Sequence, residues 1–391
     1  MAFTGKATYS GGSDLPELVE DVSDVIGIVS PHETPFLDHI GDAKRAALST
    51  VHEWVEDTLL ANRGQINQTV FSPDPQTVTG LIVDTATVFQ VGDLVRPGQS
   101  GEVMLITGVD TDLKILQVVR GYGGTTAATL ADNMELLIIG NAALEGDDAP
   151  DARFTSRVRK RNFTQILTEA VEISGSMQAA RAYGIDDEVD FQKQERMREL
   201  LRDLENCVIN GVAPTGDEQG TSTIRRSMNG MLRLISTNRF APGAGGIPDG
   251  DGAGDDGLNE EVLNAALKAI WDQSSGNIDT ILVGGAQKRR INGFASGSRA
   301  YLPEDEAYRD LISVYESDFG VCRVVMSRWV PSDTLMLLDS SRVQVMPLQG
   351  RSFHFKPLAP AGDSVRGQVI GEYTLEFKNE NAHGVISGLA V

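Results

Sequence analysis

The chain has 391 residues, 41% of them hydrophobic, with 34 basic against 55 acidic side chains and a formal net charge of −21. That length allows two or three compact units, and that charge repels nucleic acid at long range, which argues against a dedicated DNA or RNA binder. No apolar run reaches the roughly 18 to 20 residues of a membrane helix, no signal-peptide pattern opens the chain, and Cys207 and Cys322 form neither a disulfide framework nor a zinc pattern.

In chain order, residues 14–29 (DLPELVEDVSDVIGIV) place apolar side chains at helical spacing, with Pro16 in the first turn. TPFLDHIG then predicts one short turn of helix: Thr34 suits the N-cap, Pro35 the first helical position and Gly41 the position past the end. LSTVHEWVEDTLL alternates instead. Val51, Glu53, Val55 and Asp57 share one side and His52, Trp54 and Glu56 the other. Neither side is cleanly apolar, so the pattern predicts a strand of an arm or ribbon, not of a core.

From 77 to 145, five short β-like runs separated by Gly, Asp and Pro predict a small barrel or sandwich without helices. A ribbon-like pattern resumes in RFTSRVRKRNFTQILTEAVEI, so residues 51–76 and 153–173 are expected to be two legs of one ribbon with a β domain inserted at 77–145. Residues 186–209 carry the strongest helical stripe (Val189, Met197, Leu200, Leu201, Leu204, Val208), capped by Asp186 or Asp187 and ended by Gly211. A loop of seven glycines and four aspartates at 241–257 precedes a second amphipathic helix at 258–273. A buried strand in NIDTILVGG, a helix in AQKRRINGF and a β-rich remainder complete the chain.

The motifs with chemical potential are near-misses. Three of five histidines (His32, His39, His52) fall within 21 residues, and HEWVE resembles the H-E-x-x-H zinc signature. Its fifth residue is Glu56, however, and in a strand residues four apart are separated by roughly 13 Å, too far to share one ion. DGDGAGDDGLNE sets Asp249, Asp251, Asp255 and Glu260 in the register of a calcium loop with Gly254 at the sharp turn, but Ala253 supplies no ligand at the fifth position and no helix precedes it. The basic island at 153–161, which includes Arg157, Arg159 and Arg161, carries no aromatic stacking pattern and reads as a solvated strand face or an ion-pair partner for acidic neighbours. RGYGGTT joins two β runs and reads as a turn. There is no nucleophile elbow, no phosphate loop and no acid–base couple, so no enzyme and no cofactor is expected.

VSPHETPFLDHIG, VHEWVEDTL, GNIDTILVGGAQKRRINGF and LEFKNENAHGVISGL resemble one branch of the major capsid proteins of tailed bacteriophages, with the Hong Kong 97-type fold. The resemblance covers residues 30–76 and 153–391. It implies an α+β fold with residues 1–50 as N-terminal arm, 51–76 and 153–173 as the extended loop, and 77–145 as an inserted β domain. It further implies a peripheral domain at 174–257 with spine helix 186–209, an axial domain at 258–350, and C-terminal strands (351–391) returning to the peripheral domain. The function implied is a shell subunit that self-assembles into hexamers and pentamers around double-stranded DNA without sequence-specific binding. Such a subunit belongs to the virion, is assembled in the host cytoplasm, has no membrane role, and has scaffolding, portal and decoration proteins as further partners. His52, Trp54, Glu56, Arg157, Arg159 and Arg161 become the candidate contacts between subunits. The inserted domain is expected on the outer surface, strengthening contacts between capsomers. Lys114 is the only lysine between residues 46 and 152 and falls in the insertion, so no covalent crosslink from the ribbon is expected, and neither is removal of an N-terminal pro-segment. An encapsulin-like nanocompartment shell, a head decoration or tail protein, and a soluble metal-dependent hydrolase using the His/Glu cluster are the competing readings.

Overall fold

A computed structural model describes residues 34–57, 59–146, 152–155, 157–179, 187–274, 276–297, 314–359 and 362–391. The helix expected at 14–29, His32 and Asp186 lie outside them. Two compact units result: Met1–Trp54 with Arg159–Val391, and Val55–Val158.

In the larger unit a six-stranded sheet runs in the order Arg239–Phe240, Gly384–Ile386, Leu335–Leu338, Thr280–Val283, Gly320–Met326, Val314–Ser317. Every residue of Thr280–Val283 and Leu335–Leu338 is buried. Both faces are covered: Ile281, Val283, Leu335 and Leu337 join a core with Val262, Leu263, Ala266 and Ile270 of the helix Glu260–Gln273, while Leu282, Met336 and Leu338 join a second core with Val208, Ile209 and Met228. A strand buried on both faces needs apolar side chains at every position, which is why ILV and LMLL show no alternation.

A second sheet is built on one 14-residue strand, Ser364–Phe377. Gln165–Ser174 pairs along one edge, and Val343–Pro347 and His354–Pro357 pair in succession along the other. The 23-residue helix Glu188–Asn210 packs on it through Leu200, Leu204 and Val208, against Leu167, Val369 and Leu375. Asp187 is its N-cap, accepting the amides of Val189 at 2.8 Å and Asp190 at 3.3 Å. Gly211 ends it for want of space: a Cβ there would run into the carbonyl oxygens of Cys207 and Met228.

The smaller unit is a barrel. Its strands run Arg63–Gln65, Glu135–Asn141, Asp93–Pro97, Met104–Asp110, Ile115–Val119, Gly80–Ile82, and a bridge between Ile66 and Val83 joins the two edges. Ile66, Leu81, Val95, Met104, Ile106, Leu116 and Leu136 fill its interior.

Three expected boundaries move. Arg63–Ile66 belongs to the barrel, not to the ribbon, because Ile66 is fully buried in the barrel core. The second leg of the ribbon is Val158–Phe163, paired with Val51–Glu56, and the chain from Gln165 enters the four-stranded sheet, where Leu167, Val171 and Ile173 are buried. The sheets also ignore a division at residue 350: Val343–Pro347 pairs with the C-terminal strand, and Gly384–Ile386 returns to the sheet that contains Thr280–Val283.

Candidate functional site at the base of the ribbon

The end of the long strand is two-faced. Leu375 and Phe377 enter the core under the long helix, while Glu372, Thr374 and Glu376 alternate with them and are nonetheless buried. What covers these polar side chains is the root of the ribbon. Phe163 accepts the Thr374 hydroxyl at 3.0 Å through its carbonyl, and Thr164 donates its hydroxyl to Glu372 Oε1 at 2.6 Å. Asn162 is satisfied on both ends of its amide: Nδ2 donates to the carbonyls of Asn229 and Leu375, and Oδ1 accepts the amides of Phe163 and Asn229.

Each carboxylate is held by several donors. Arg226 donates to Glu372 Oε1 at 2.6 Å and to the Thr164 carbonyl at 2.7 Å, and Arg351 pairs with Glu372 Oε2 at 2.8 Å. Glu376, 1% exposed at its side chain, is met by Arg45 at 2.5 and 2.6 Å, by Lys378 at 3.0 Å and by His52 Nε2. Burial alone would raise the Glu376 carboxyl, but hydrogen bonds from His52, Lys378 and Arg45 outweigh it and hold the group down at about 2. A buried charge is tolerated only when its lone pairs are taken up in this way. The result is a buried polar seat that ties the root of the ribbon to the long strand.

The joint before the ribbon is fixed by a different carboxylate. Thr34 occupies the N-cap of the helix Pro35–Ile40 but makes no side-chain cap bond. Glu205, buried on the long helix, takes the amides of Phe36 at 3.1 Å and Leu37 at 3.3 Å instead, and accepts the Ser327 hydroxyl at 2.6 Å. Burial raises the Glu205 carboxyl, against these three hydrogen bonds. At the other end of the joint Gly41 has φ +72° and ψ −176°, a positive-φ backbone that glycine adopts without a Cβ penalty.

The residues singled out in the sequence are distributed as follows. His52 and Trp54 face inward: His52 is bound to Glu376, and Trp54 is 7% exposed with its ring 5.9 Å from that of His52. Neither is an open contact surface, because the polar strand face offers His52 a partner within its own chain. Glu56 is half-buried, whereas Arg157, Arg159 and Arg161 are exposed. They pair with Asp57 at 3.8 Å, Glu53 at 3.4 Å and Glu218 at 2.8 Å, so the basic island runs beside acidic partners.

Among the described residues the histidines do not converge. His39 Nε2 meets the Thr280 hydroxyl at 2.8 Å, His383 is buried and stacked on Phe377, and His354 bonds the Ser352 carbonyl. Burial holds His383 down at about 4. The calcium register is not realised either. Asn259 caps the following helix and donates to the Asp249 carbonyl and the Asp251 carboxylate, and Asp251 pairs with Gly257 as backbone. Among the described residues no three His, Cys, Asp or Glu side chains could hold a metal ion. Lys114 sits with φ +56° in the barrel, between Met104–Asp110 and Ile115–Val119.

Glu205, Glu372, Glu376 and Asn162 gave no sequence signal of their own. G-E-Y-T-L-E-F reads as an ordinary half-exposed strand, and only its covering by a segment more than 200 residues earlier buries the polar side.

A family model described as SU10 major capsid protein matches residues 3–390. The major capsid protein of Escherichia phage Phieco32 is 25% identical over 285 residues, covering 63% of this chain and 80% of that protein. Among solved structures, a chain of Gordonia phage Cozz superposes with a TM-score of 0.51 at 12% identity, covering 100% of this chain and 97% of that one. A capsid chain of an empty GTA particle gives 0.51 at 9% identity, covering 99% and 100%. At these identities the structural likeness is one of fold.

Proposed function

This chain belongs to the SU10 major capsid protein family, and from that premise we propose how its parts serve a shell. The protein is the major capsid protein of a tailed phage, with the Hong Kong 97-type fold, and assembles from copies of itself. In our reading, residues 1–50 form the N-terminal arm, Val51–Glu56 and Val158–Phe163 the root of the extended loop, and Glu188–Asn210 the spine helix of the peripheral domain. The six-stranded sheet with its helix Glu260–Gln273 is the axial domain. The chain acts as a structural protein without catalysis, encloses DNA in a shell assembled in the host cytoplasm, and works with scaffolding, portal and decoration proteins.

The observation that carries this assignment of parts is the contrast along the ribbon. Its root is bound into a buried polar network, whereas the stretches beyond it leave Leu59 at 93% and Phe154 at 84% exposed, with Val55 and Val158 also open. Apolar side chains on a thin ribbon have no core of their own to enter, and a neighbouring subunit supplies one. Arg157, Arg159 and Arg161 then lie along the same contact. A net charge of −21 keeps packaged DNA from adhering to the wall.

Negative-stain imaging of the purified chain tests the reading. Closed icosahedral or elongated shells are expected, and shells that package protein cargo in place of DNA in the source particles would favour a nanocompartment. Discrete monomers under all assembly conditions would refute it.

A further inference from the structure

The outer face of the barrel carries an apolar row that the barrel does not use. Side chains alternate in and out along each strand. Met104, Ile106, Val95, Val118 and Leu136 point in, so Leu105, Leu94, Val119 and Ile139 point out. The register sets Leu94 opposite Leu105 and Leu105 opposite Val119; on the next strand Gly140 is opposite Leu94, and Ile139 precedes it at the register shift. Three consecutive strands therefore present one apolar line, and Ile139 on the fourth extends the exposed apolar surface next to it. Val119 is 47% and Ile139 54% exposed, and Leu94 and Leu105 are half-buried between them. Beside this row stands Arg96, exposed and opposite Leu137. Among the described residues no carboxylate forms an ion pair with Arg96, although carboxylates outnumber bases 55 to 34 in the chain.

Arg63, opposite Leu137 on the next strand, is taken up by Glu135 at 3.0 Å, which leaves Arg96 as the cation of this margin outside an ion pair; an apolar line with so little positive charge does not suit DNA, which demands many cations. It suits a protein surface that brings apolar groups and one carboxylate. Arg96 calls for a carboxylate across the contact, and a chain with 55 acidic against 34 basic residues offers one on its surface. In a shell each barrel is surrounded by acidic copies of this chain at high effective concentration.

We propose that the face formed by Leu94, Leu105, Val119 and Ile139, with Arg96 at its edge, docks onto a carboxylate-bearing surface of a second copy of this chain. It rests on the shell reading and deepens it: the inserted barrel is an assembly element with one defined contact face. Arg96 selects the partner surface, and the apolar row supplies the buried area.

The test uses shells assembled from the purified full chain alone, so that no other protein is present. Val119→Cys gives a thiol for maleimide labelling, read against the unmodified chain to account for Cys207 and Cys322. Labelling of Cys at position 119 is expected to slow at least tenfold in shells relative to unassembled subunits. Arg96→Glu is expected to lower the urea midpoint of shell dissociation while leaving the unfolding of the unassembled subunit unchanged, and Arg96→Lys is expected to retain most of the effect of arginine. Shells seen by negative stain in which position 119 labels as fast as in free subunits would overturn this proposal and leave the shell reading intact. Protection that appears only when another capsid component is added would also overturn it. No shells from the unmodified chain, either alone or with a scaffolding protein, would overturn both.

Discussion

Replacing Glu376 by glutamine removes the charge from the seat of the ribbon with almost no change in shape. Arg45, Lys378 and His52 would then surround a neutral amide. In the folded chain the carboxyl is held at about 2 where its ordinary value is 4.5. At roughly 1.4 kcal/mol for each factor of ten in a protonation equilibrium, that is about 3 kcal/mol in favour of the ionised fold. A group whose folded value is depressed contributes fully above its unfolded value and loses the contribution as pH falls. The difference between the two proteins is therefore about 3 kcal/mol at pH 7, shrinks below pH 4.5, and is gone near pH 2. Urea unfolding of the unassembled subunit followed by tryptophan fluorescence measures it cleanly. All three tryptophans (Trp54, Trp271, Trp329) lie in the unit that contains Glu376, so the barrel does not contribute to the signal. A destabilisation of the same size at pH 7 and pH 2.5 would refute the argument, because it would mean that shape and not charge is what the seat requires.

Glu205→Gln keeps an acceptor for the amides of Phe36 and Leu37 and is expected to cost less than about 1 kcal/mol, whereas Glu205→Ala leaves two amides and the Ser327 hydroxyl unpaired and should cost about 3 kcal/mol. Equal losses in urea titrations of the two variants would show that the acceptor is not what matters. Because burial raises the Glu205 carboxyl, the folded state binds its proton more tightly than the unfolded one; its contribution is present at low pH and is lost as pH rises above the ordinary carboxylate value, the reverse of Glu376. Trp54→Ala should destabilise the unassembled subunit by about 3 kcal/mol, as loss of a buried aromatic does. An unchanged urea midpoint combined with failed assembly would return Trp54 to the role of a contact between subunits. Lys114 lies in the barrel, but Lys160 stands exposed on the ribbon strand Val158–Phe163, so the place of Lys114 does not by itself exclude a covalent link from the ribbon; single subunits from mature particles on a denaturing gel would exclude it, and a ladder of multimers lost in Lys160→Arg would show it.

Much of the architecture was legible from period alone. The stripe from Val189 to Val208 required a long helix, the alternation from Val51 to Asp57 required a strand, and evenly spaced short β runs required a small barrel or sandwich, of which the structure forms the barrel. Local signals also specified the caps, with Asp187 and Gly41 where their chemistry places them. These features are decided by interactions among residues close in sequence, so the sequence states them directly. What it did not state is where polar residues are buried. Glu205 caps a helix some 168 positions away, Glu372 and Glu376 lie under the ribbon's root, and His52 turns inward to meet one of them. A glutamate in an alternating strand has the same sequence appearance whether water or a distant arginine covers it. Ile66 passed for a ribbon residue for a similar reason: a three-residue strand carries too little pattern to say which sheet receives it. The sequence by itself determined which segments are helix, strand and insertion; only the tertiary structure decided which charged side chains lose their water, because that depends on what the rest of the chain lays over them.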